Sequence, residues 1–346
     1  MLHVLVIGGG FGGLRVVHEL QRAKFPGQIT LVDRKSYFEV TYATLRTLSN
    51  PEFANGTQRK AYSEFLEAKF VQDEVTALNS HSAVLASGQE IELDYAVIAT
   101  GTSYPSLPAA KSESALSTAD REGEIATHHA QLESYEHIKI VGAGAVGTEL
   151  AAEIKAHYPE KSIQLLDLGD RVLSHLQPKA SAKALQMLQQ LNVDVQLNTK
   201  AERSELESDQ PSHHTYWCGG PKVQTGFIQG TNARLDSGLL VVDPHLRVSG
   251  HNNWFAVGDV VDLPDAKMGA TASNQGQSVA GNLVRLSASK TRLKPYKPQP
   301  FMSIVPIGRT RGVAQIGRFV STLKPVINFK QKDLLIGYAM SQIGAG

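Results

Sequence analysis

The chain of 346 residues holds one cysteine, Cys218. A single thiol excludes an intrachain disulfide framework, and with no cysteine between Lys35 and Leu48 a pair of redox thiols near the N-terminal unit is excluded too. So low a thiol count fits a reducing compartment. No uninterrupted apolar run approaches the eighteen or so residues that a membrane-crossing helix requires. Charge of one sign is also missing. With 34 basic against 33 acidic residues, the formal net charge of +1 gives no global attraction to nucleic acid. The first strand is expected within three residues of Met1, which leaves no room for a signal or transit peptide, and Leu2 excludes glycine myristoylation. The expectation is a cytoplasmic protein, soluble or peripheral to a membrane, long enough for two domains with a core each.

Glycine, by contrast, is abundant and patterned. Gly8-x-Gly10-x-x-Gly13 follows the apolar run Val4 to Ile7 and opens an amphipathic helix with Leu14, Val17 and Leu20 on one face. A second strand, Ile29 to Val32, ends on Asp33, twenty residues after Gly13, the spacing of a ribose-binding carboxylate. The same grammar recurs mid-chain. Gly142-x-Gly144-x-x-Gly147 follows Ile138 to Val141, and Ile163 to Leu166 closes on Asp167, again twenty residues beyond the last glycine. Glycines at these positions allow a tight turn, close approach of backbone to pyrophosphate, and contact of helix with strand. The helix N-terminus then offers amides and a positive dipole end to phosphate. Two copies predict two dinucleotides in one chain, and so electron transfer between two cofactors. An acid at Asp167 repels a 2′-phosphate, which favours NADH over NADPH, although Arg171 weakens that preference.

Between and beyond the fingerprints, strands are expected at Phe70 to Leu78, Ala83 to Leu85, Ile91 to Leu93 and Tyr95 to Ala99, the last running into Thr100-Gly101. A polar linker, Lys111 to Glu136, leads to the second unit. Further strands are expected at Leu239 to Val242 and Trp254 to Val257, the latter delivering Gly258-Asp259 to the crevice of a parallel sheet, where Asp259 can accept from a sugar-alcohol hydroxyl. The small residues Gly269 to Gly276 then open a helix whose start suits a flat ring and whose dipole would stabilise an anionic reduced flavin. The histidine pairs His128-His129 and His213-His214 lie in polar stretches and suggest solvated loops, with no metal-ligand spacing. Cys218 is expected on a strand as a buried structural thiol. Strands are expected at Phe301 to Ile307 and Gly312 to Ile316. Phe319 to Tyr338 mixes apolar residues with Arg318, Lys324, Lys330 and Lys332, a basic amphipathic pattern suited to an anionic membrane surface, to a lid on the flavin domain or to a homodimer contact.

The order of two fingerprints, the Ala99-Thr100-Gly101 strand and the Gly258-Asp259 strand resembles the two-dinucleotide flavoprotein superfamily that includes glutathione reductase. Within it the chain is most similar to the ferroptosis-suppressor and apoptosis-inducing-factor-like flavoproteins and, more distantly, to type II NADH dehydrogenases. Gly8 to Gly13, Leu31 to Asp33, Ala43-Thr44-Leu45-Arg46, Glu149 to Lys155, Tyr158 to Lys161 and Gly308 to Gly317 carry that likeness. The resemblance implies an α/β fold of two Rossmann-like, doubly wound, three-layer domains, the second inserted into the first, with a short C-terminal α+β segment. Residues 1–109 and 236–300 would bind FAD, 110–235 NAD(H), with NADP(H) disfavoured, and 301–346 would shape the acceptor site. Expected at the cofactors are Gly8, Gly10, Phe11, Gly12, Gly13, Asp33, Arg34, Arg46, Val75, Thr100, Gly101, Gly258, Asp259, Ala270 and Thr271 for FAD. Gly142, Gly144, Val146, Gly147, Asp167 and Gly219 are expected at NADH, with Glu149 facing the nicotinamide. The implied activity is NADH oxidation with delivery of two electrons to a small-molecule acceptor, a quinone. Ala270 and Asn274 stand where type II NADH dehydrogenases carry glutamines, so the acceptor is less secure than the flavin. The stretch from Thr199 to Cys218 is also short for the family. An NADH:ferredoxin-type reductase and a redox-sensing module without turnover remain alternatives.

Overall fold

The computed structural model describes residues 1–206, 212–229 and 231–346. Two parallel sheets dominate it. The first has five strands in the order Trp254–Ala256, Tyr95–Ile98, His3–Ile7, Gln28–Asp33 and Lys69–Gln72. Val4, Leu5, Val6 and Ile7 sit at its centre with at most 3% of their surface exposed, as expected of strands covered on both faces. The second runs Val193–Gln196, Ser162–Leu166, His137–Val141 and His213–Trp217, all parallel, with His137 opposite Ser162 and Val141 opposite Leu166. A third, antiparallel sheet of Met302–Ile307, Arg311–Ile316 and Phe319–Ser321 is followed by two short helices, Lys324–Gln331 and Ile336–Gln342.

Each fingerprint helix packs on its own sheet, and on the Phe11–Arg22 helix Leu14, Val17 and Leu20 are buried on the face the periodicity predicts. Two chain crossings join the halves of the molecule. Thr102–Ser103 and Lys222–Val223 pair as a short antiparallel ribbon, so the chain leaves and re-enters the first unit at one place.

Several expectations are corrected. The run from Phe70 to Leu78 is two strands, Lys69–Gln72 and Val75–Leu78, in different sheets, because Asp73 and Glu74 break the pairing. Leu239 to Val242 makes only isolated bridges, Leu240 with Val261 among them. His128 and His129 lie on the helix Thr118–Ser134, not in a loop. His213 and His214 lie on a strand, where His213 stacks on His137 and His214 on Tyr135, each pair 4.5 Å apart. The tail does not stand free as one amphipathic helix. Leu334, Ile336, Ala339, Met340, Ile343 and Ala345 are buried in the same core as the first fingerprint helix.

Candidate functional site

The two fingerprints fold into one local geometry. Gly8 and Gly142 hold φ of +102° and +104°, which L side chains rarely adopt. A Cβ added to Gly13 would lie 1.9 Å from the carbonyl oxygen of Gly8, and one added to Gly147 1.9 Å from that of Gly142. The third glycine of each motif is therefore required for contact between strand and helix. At Gly10 and Gly144, the residues that begin the two helices, an added Cβ would meet nothing within 4 Å, and no side chain caps either helix. Bare backbone at an uncapped helix start is a cradle for phosphate.

The paired acids repeat as faithfully. Asp33 accepts from the amide of Gly9 at 2.5 Å and from that of Lys35 at 2.7 Å. Asp167 accepts from the amides of Ala143 at 2.5 Å and Gly169 at 2.7 Å. Each carboxylate thus clamps the middle of its glycine loop, a duty the spacing alone did not reveal. Burial pushes the Asp33 carboxyl above the usual range, against the opposing pull of those two amides.

A single cavity of about 1830 Å³ gathers most of the expected residues. Gly8, Gly10, Phe11, Gly12, Asp33, Arg34, Val75, Thr100, Gly101, Gly258, Asp259 and Ala270 line it, and so do Gly144, Val146 and Glu149 from the second unit. Its volume is about twice the upper end of an ordinary small-molecule pocket, which suits more than one ligand. Small residues shape one wall. A Cβ on Gly276 would come 2.4 Å from the carbonyl oxygen of Gly12, so the helix Gly269–Ser287 crosses the first fingerprint helix at backbone contact. Near its start Ser273 lines the cavity, and its hydroxyl is buried without a hydrogen-bond partner. Gln275, which the sequence did not single out, accepts from the amide of Gly258 at 2.7 Å and so fixes the turn that presents Asp259. Asp259 in turn accepts from the Thr102 hydroxyl at 2.9 Å. An uncapped helix start and two carboxylates on the wall of one cavity, Asp33 and Asp259, fit a flavin dinucleotide.

Other expected residues lie off the cavity wall. Gly13, Gly142, Gly147, Asp167, Gly219 and Thr271 are outside its lining. Arg46 is committed elsewhere. Its guanidinium donates to Glu153 at 2.7 and 2.9 Å and to the Gln331 carbonyl at 2.9 Å, tying two helices to the tail. Cys218 follows its strand by one residue and lines the cavity while packing against the second unit's core, with burial pushing its thiol up to about 12.

Lys330 is the residue that sequence reasoning placed only in a basic tail. Its ammonium donates to Glu149 Oε1 and to the Ile304 carbonyl, both at 3.0 Å, and lies 5.6 Å from the centre of the Tyr42 ring. Tyr42 stacks on Phe11 at 5.7 Å. No local signal ties position 330 to position 149, since only the fold of the tail joins them. Beyond this pair the cavity opens between Met302, Ile316, Phe329 and Tyr338, all exposed and apolar.

Comparison with known proteins follows the same lines. Human ferroptosis suppressor protein 1 is 30% identical over 97% of this chain and 94% of its own length. Among solved structures, the sulfide:quinone oxidoreductase of Aquifex aeolicus superposes with a TM-score of 0.79 at 18% identity, covering 99% of this chain and 91% of that one. NDH2 of Plasmodium falciparum in complex with NADH gives 0.78 at 15% identity, with 99% and 96% covered. The family model described as pyridine nucleotide-disulphide oxidoreductase matches residues 2–278, and with both fingerprints and both sheets inside that span the chain belongs to this family of FAD- and NAD(P)H-dependent oxidoreductases.

Proposed function

We propose that the chain oxidises NADH and passes two electrons through FAD to a quinone-like acceptor. The observation that carries this reading is the continuity of one cavity from the first fingerprint, past Gly144, Val146 and Glu149 of the second, to a mouth framed by Met302, Ile316, Phe329 and Tyr338. FAD would lie along Gly8 to Gly12, Asp33, Val75, Thr100 and Asp259, within a unit of residues 1–109 and 236–300. NADH would take Gly144, Val146 and Asp167 of residues 110–235. The acid at Asp167 favours NADH over NADPH, as argued from its spacing. An apolar mouth suits an acceptor with an apolar ring and tail, and one structural neighbour is by its name a quinone oxidoreductase.

Bound FAD would supply the two-electron relay between the dihydronicotinamide and the acceptor. The chain's own residues align and shield. Val146 and Glu149 border the cavity at the second fingerprint, where Glu149 is oriented by Lys330. The Lys330 ammonium, held on a carboxylate and a carbonyl, is a proton donor and a positive charge facing the acceptor end. Tyr42 and Phe11 cover it with ring surface and keep bulk water away.

Anaerobic mixing of the yellow holoprotein with NADH should bleach the flavin band, and a panel of short-chain ubiquinone, menaquinone, ferricyanide and oxygen should show fastest turnover with a quinone. Absence of bleaching at millimolar NADH overturns the reaction, and turnover with every acceptor except quinones overturns the acceptor.

A further inference from the structure

Tyr42 is the second residue of the helix Thr41–Ser49 and lines the cavity. Its ring is fixed from two directions. Phe11, which begins the first fingerprint helix, stacks on it with 15° between the planes, and the Lys330 ammonium lies 5.6 Å from its centre. Burial raises the pKa of the phenol, and Asp333 and Tyr338 add to the rise, so the hydroxyl keeps its proton and is a donor. Among the described residues that donor has no hydrogen-bond partner.

The other tyrosines of the cavity differ from it. The Tyr37 and Tyr62 hydroxyls donate to the carbonyls of Ala115 and Gly9, at 3.2 and 2.9 Å. Tyr104 has no hydrogen-bond partner either, but the groups whose charge acts on it are Asp259 and Cys218, at the dinucleotide end. Those acting on Tyr42 are Asp333 and Tyr338, both from the tail, and Tyr338 frames the mouth. A donor held largely out of water without an acceptor carries a desolvation penalty that a ligand oxygen would remove. Lys330 brings a second donor to the same ring. Two of its three N–H groups go to Glu149 Oε1 and the Ile304 carbonyl, which leaves one. An unmet O–H and an unmet N–H beside one aromatic face suit an oxygen acceptor carried on a flat ring.

We propose that the Tyr42 hydroxyl donates the hydrogen bond that holds a carbonyl oxygen of the electron acceptor at the inner end of the mouth, beside the Lys330 ammonium. This rests on the reading that the acceptor is quinone-like. The hydroxyl orients the acceptor and keeps its own proton. It selects for a ring that bears a carbonyl, which the apolar rim alone does not do, and it sets affinity on the acceptor side without acting on NADH.

The test compares wild type with Tyr42→Phe, which keeps the ring, its stacking on Phe11 and its contact with Lys330 and removes only the hydroxyl. On the holoproteins, binding of a short-chain ubiquinone to the oxidised form would be followed by flavin fluorescence. Turnover would be measured with that quinone and with ferricyanide, which has no carbonyl, and flavin reduction by NADH in anaerobic stopped flow. We expect Tyr42→Phe to raise both the dissociation constant and KM for the quinone about tenfold, for one hydrogen bond left unmade. Ferricyanide turnover and flavin reduction should stay within about twofold of wild type, and the melting temperature within about 2 °C. Unchanged quinone affinity and KM in Tyr42→Phe overturn the proposal. So does an equal loss with ferricyanide or in flavin reduction, or a fall in melting temperature that matches the loss, each of which would mark a structural tyrosine. If wild type itself neither binds nor reduces the quinone, the reading of the acceptor fails first and the proposal with it, and wild type alone tells that failure from the others.

Discussion

Glu149 and Glu153 show how the same residue class serves two ends. Glu149 borders the cavity with its carboxylate turned to Lys330, while Glu153, one helical turn on, is turned to Arg46 and away from it. Glu149→Gln keeps the shape and removes the charge. It should lower kcat/KM for NADH about tenfold, by loss of a charge-assisted contact, while the flavin content of the purified protein is unchanged. Arg46→Met should instead act on stability. Burial already raises the Glu153 pKa, with Arg46 opposing it, so removing the guanidinium strands a buried carboxylate at a cost of about 3–5 kcal/mol. The sign with pH follows. A carboxyl whose folded pKa is raised favours the folded state below its unfolded pKa and loses that contribution as pH rises through the folded value. The deficit of Arg46→Met in thermal melts should therefore be large at pH 8 and shrink toward pH 5.

Among the elements, the fingerprint turns tolerate least. Gly13→Ala and Gly147→Ala each force a methyl group 1.9 Å from a backbone oxygen. Both should destabilise by about 3 kcal/mol or more, read as a lower denaturation midpoint. Gly147→Ala should lose NADH binding while the protein stays yellow. The His213–Trp217 strand carries a different sensitivity. Burial holds His214 down at about 4, with His128 adding repulsion, so the folded state keeps it neutral. A depressed pKa gives stability that is complete above the unfolded pKa and is lost as pH falls toward 4. His214→Phe should flatten the fall in melting temperature between pH 6.5 and pH 4, and an unchanged slope would show that another group sets it.

These elements also show what the sequence could disclose. Strand, turn and helix of each fingerprint are local, with periodicity and glycine spacing written within about thirty residues, and so both parallel units were legible. The Glu149–Lys330 contact spans 181 positions and the Thr102–Asp259 contact 157, and neither leaves a local pattern. The histidine strand misled for a related reason. Its polar composition resembles a loop, but the stacking of His213 on His137 and of His214 on Tyr135 supplies the cross-strand packing that apolar residues usually give.

For the whole molecule, ligand and fold are linked. If FAD binds only the folded state, saturating it at one hundred times its dissociation constant adds about 2.7 kcal/mol, and the melting temperature should rise with FAD concentration in a thermal scan. The mouth gives a separate handle on the acceptor. Phe329→Ser removes an exposed ring from the rim without touching the buried core. It should raise KM for a short-chain quinone severalfold and leave KM for NADH unchanged, and an equal rise in both would place the acceptor elsewhere.

The burial of residues 334–345 against the Phe11–Arg22 helix has a consequence for biosynthesis. Arg15 donates to the Gln342 carbonyl at 3.1 Å and Lys60 to that of Ala345 at 2.7 Å, so the first described helix is completed by the last described segment. The middle unit's parallel sheet lies within residues 137–217 and can form while translation continues, although Val305, Ile307 and Val313 join its core later. The first unit must wait with an open flank, and its prosthetic group would be captured into a finished pocket only after residues 334–345 have been made and have packed against it.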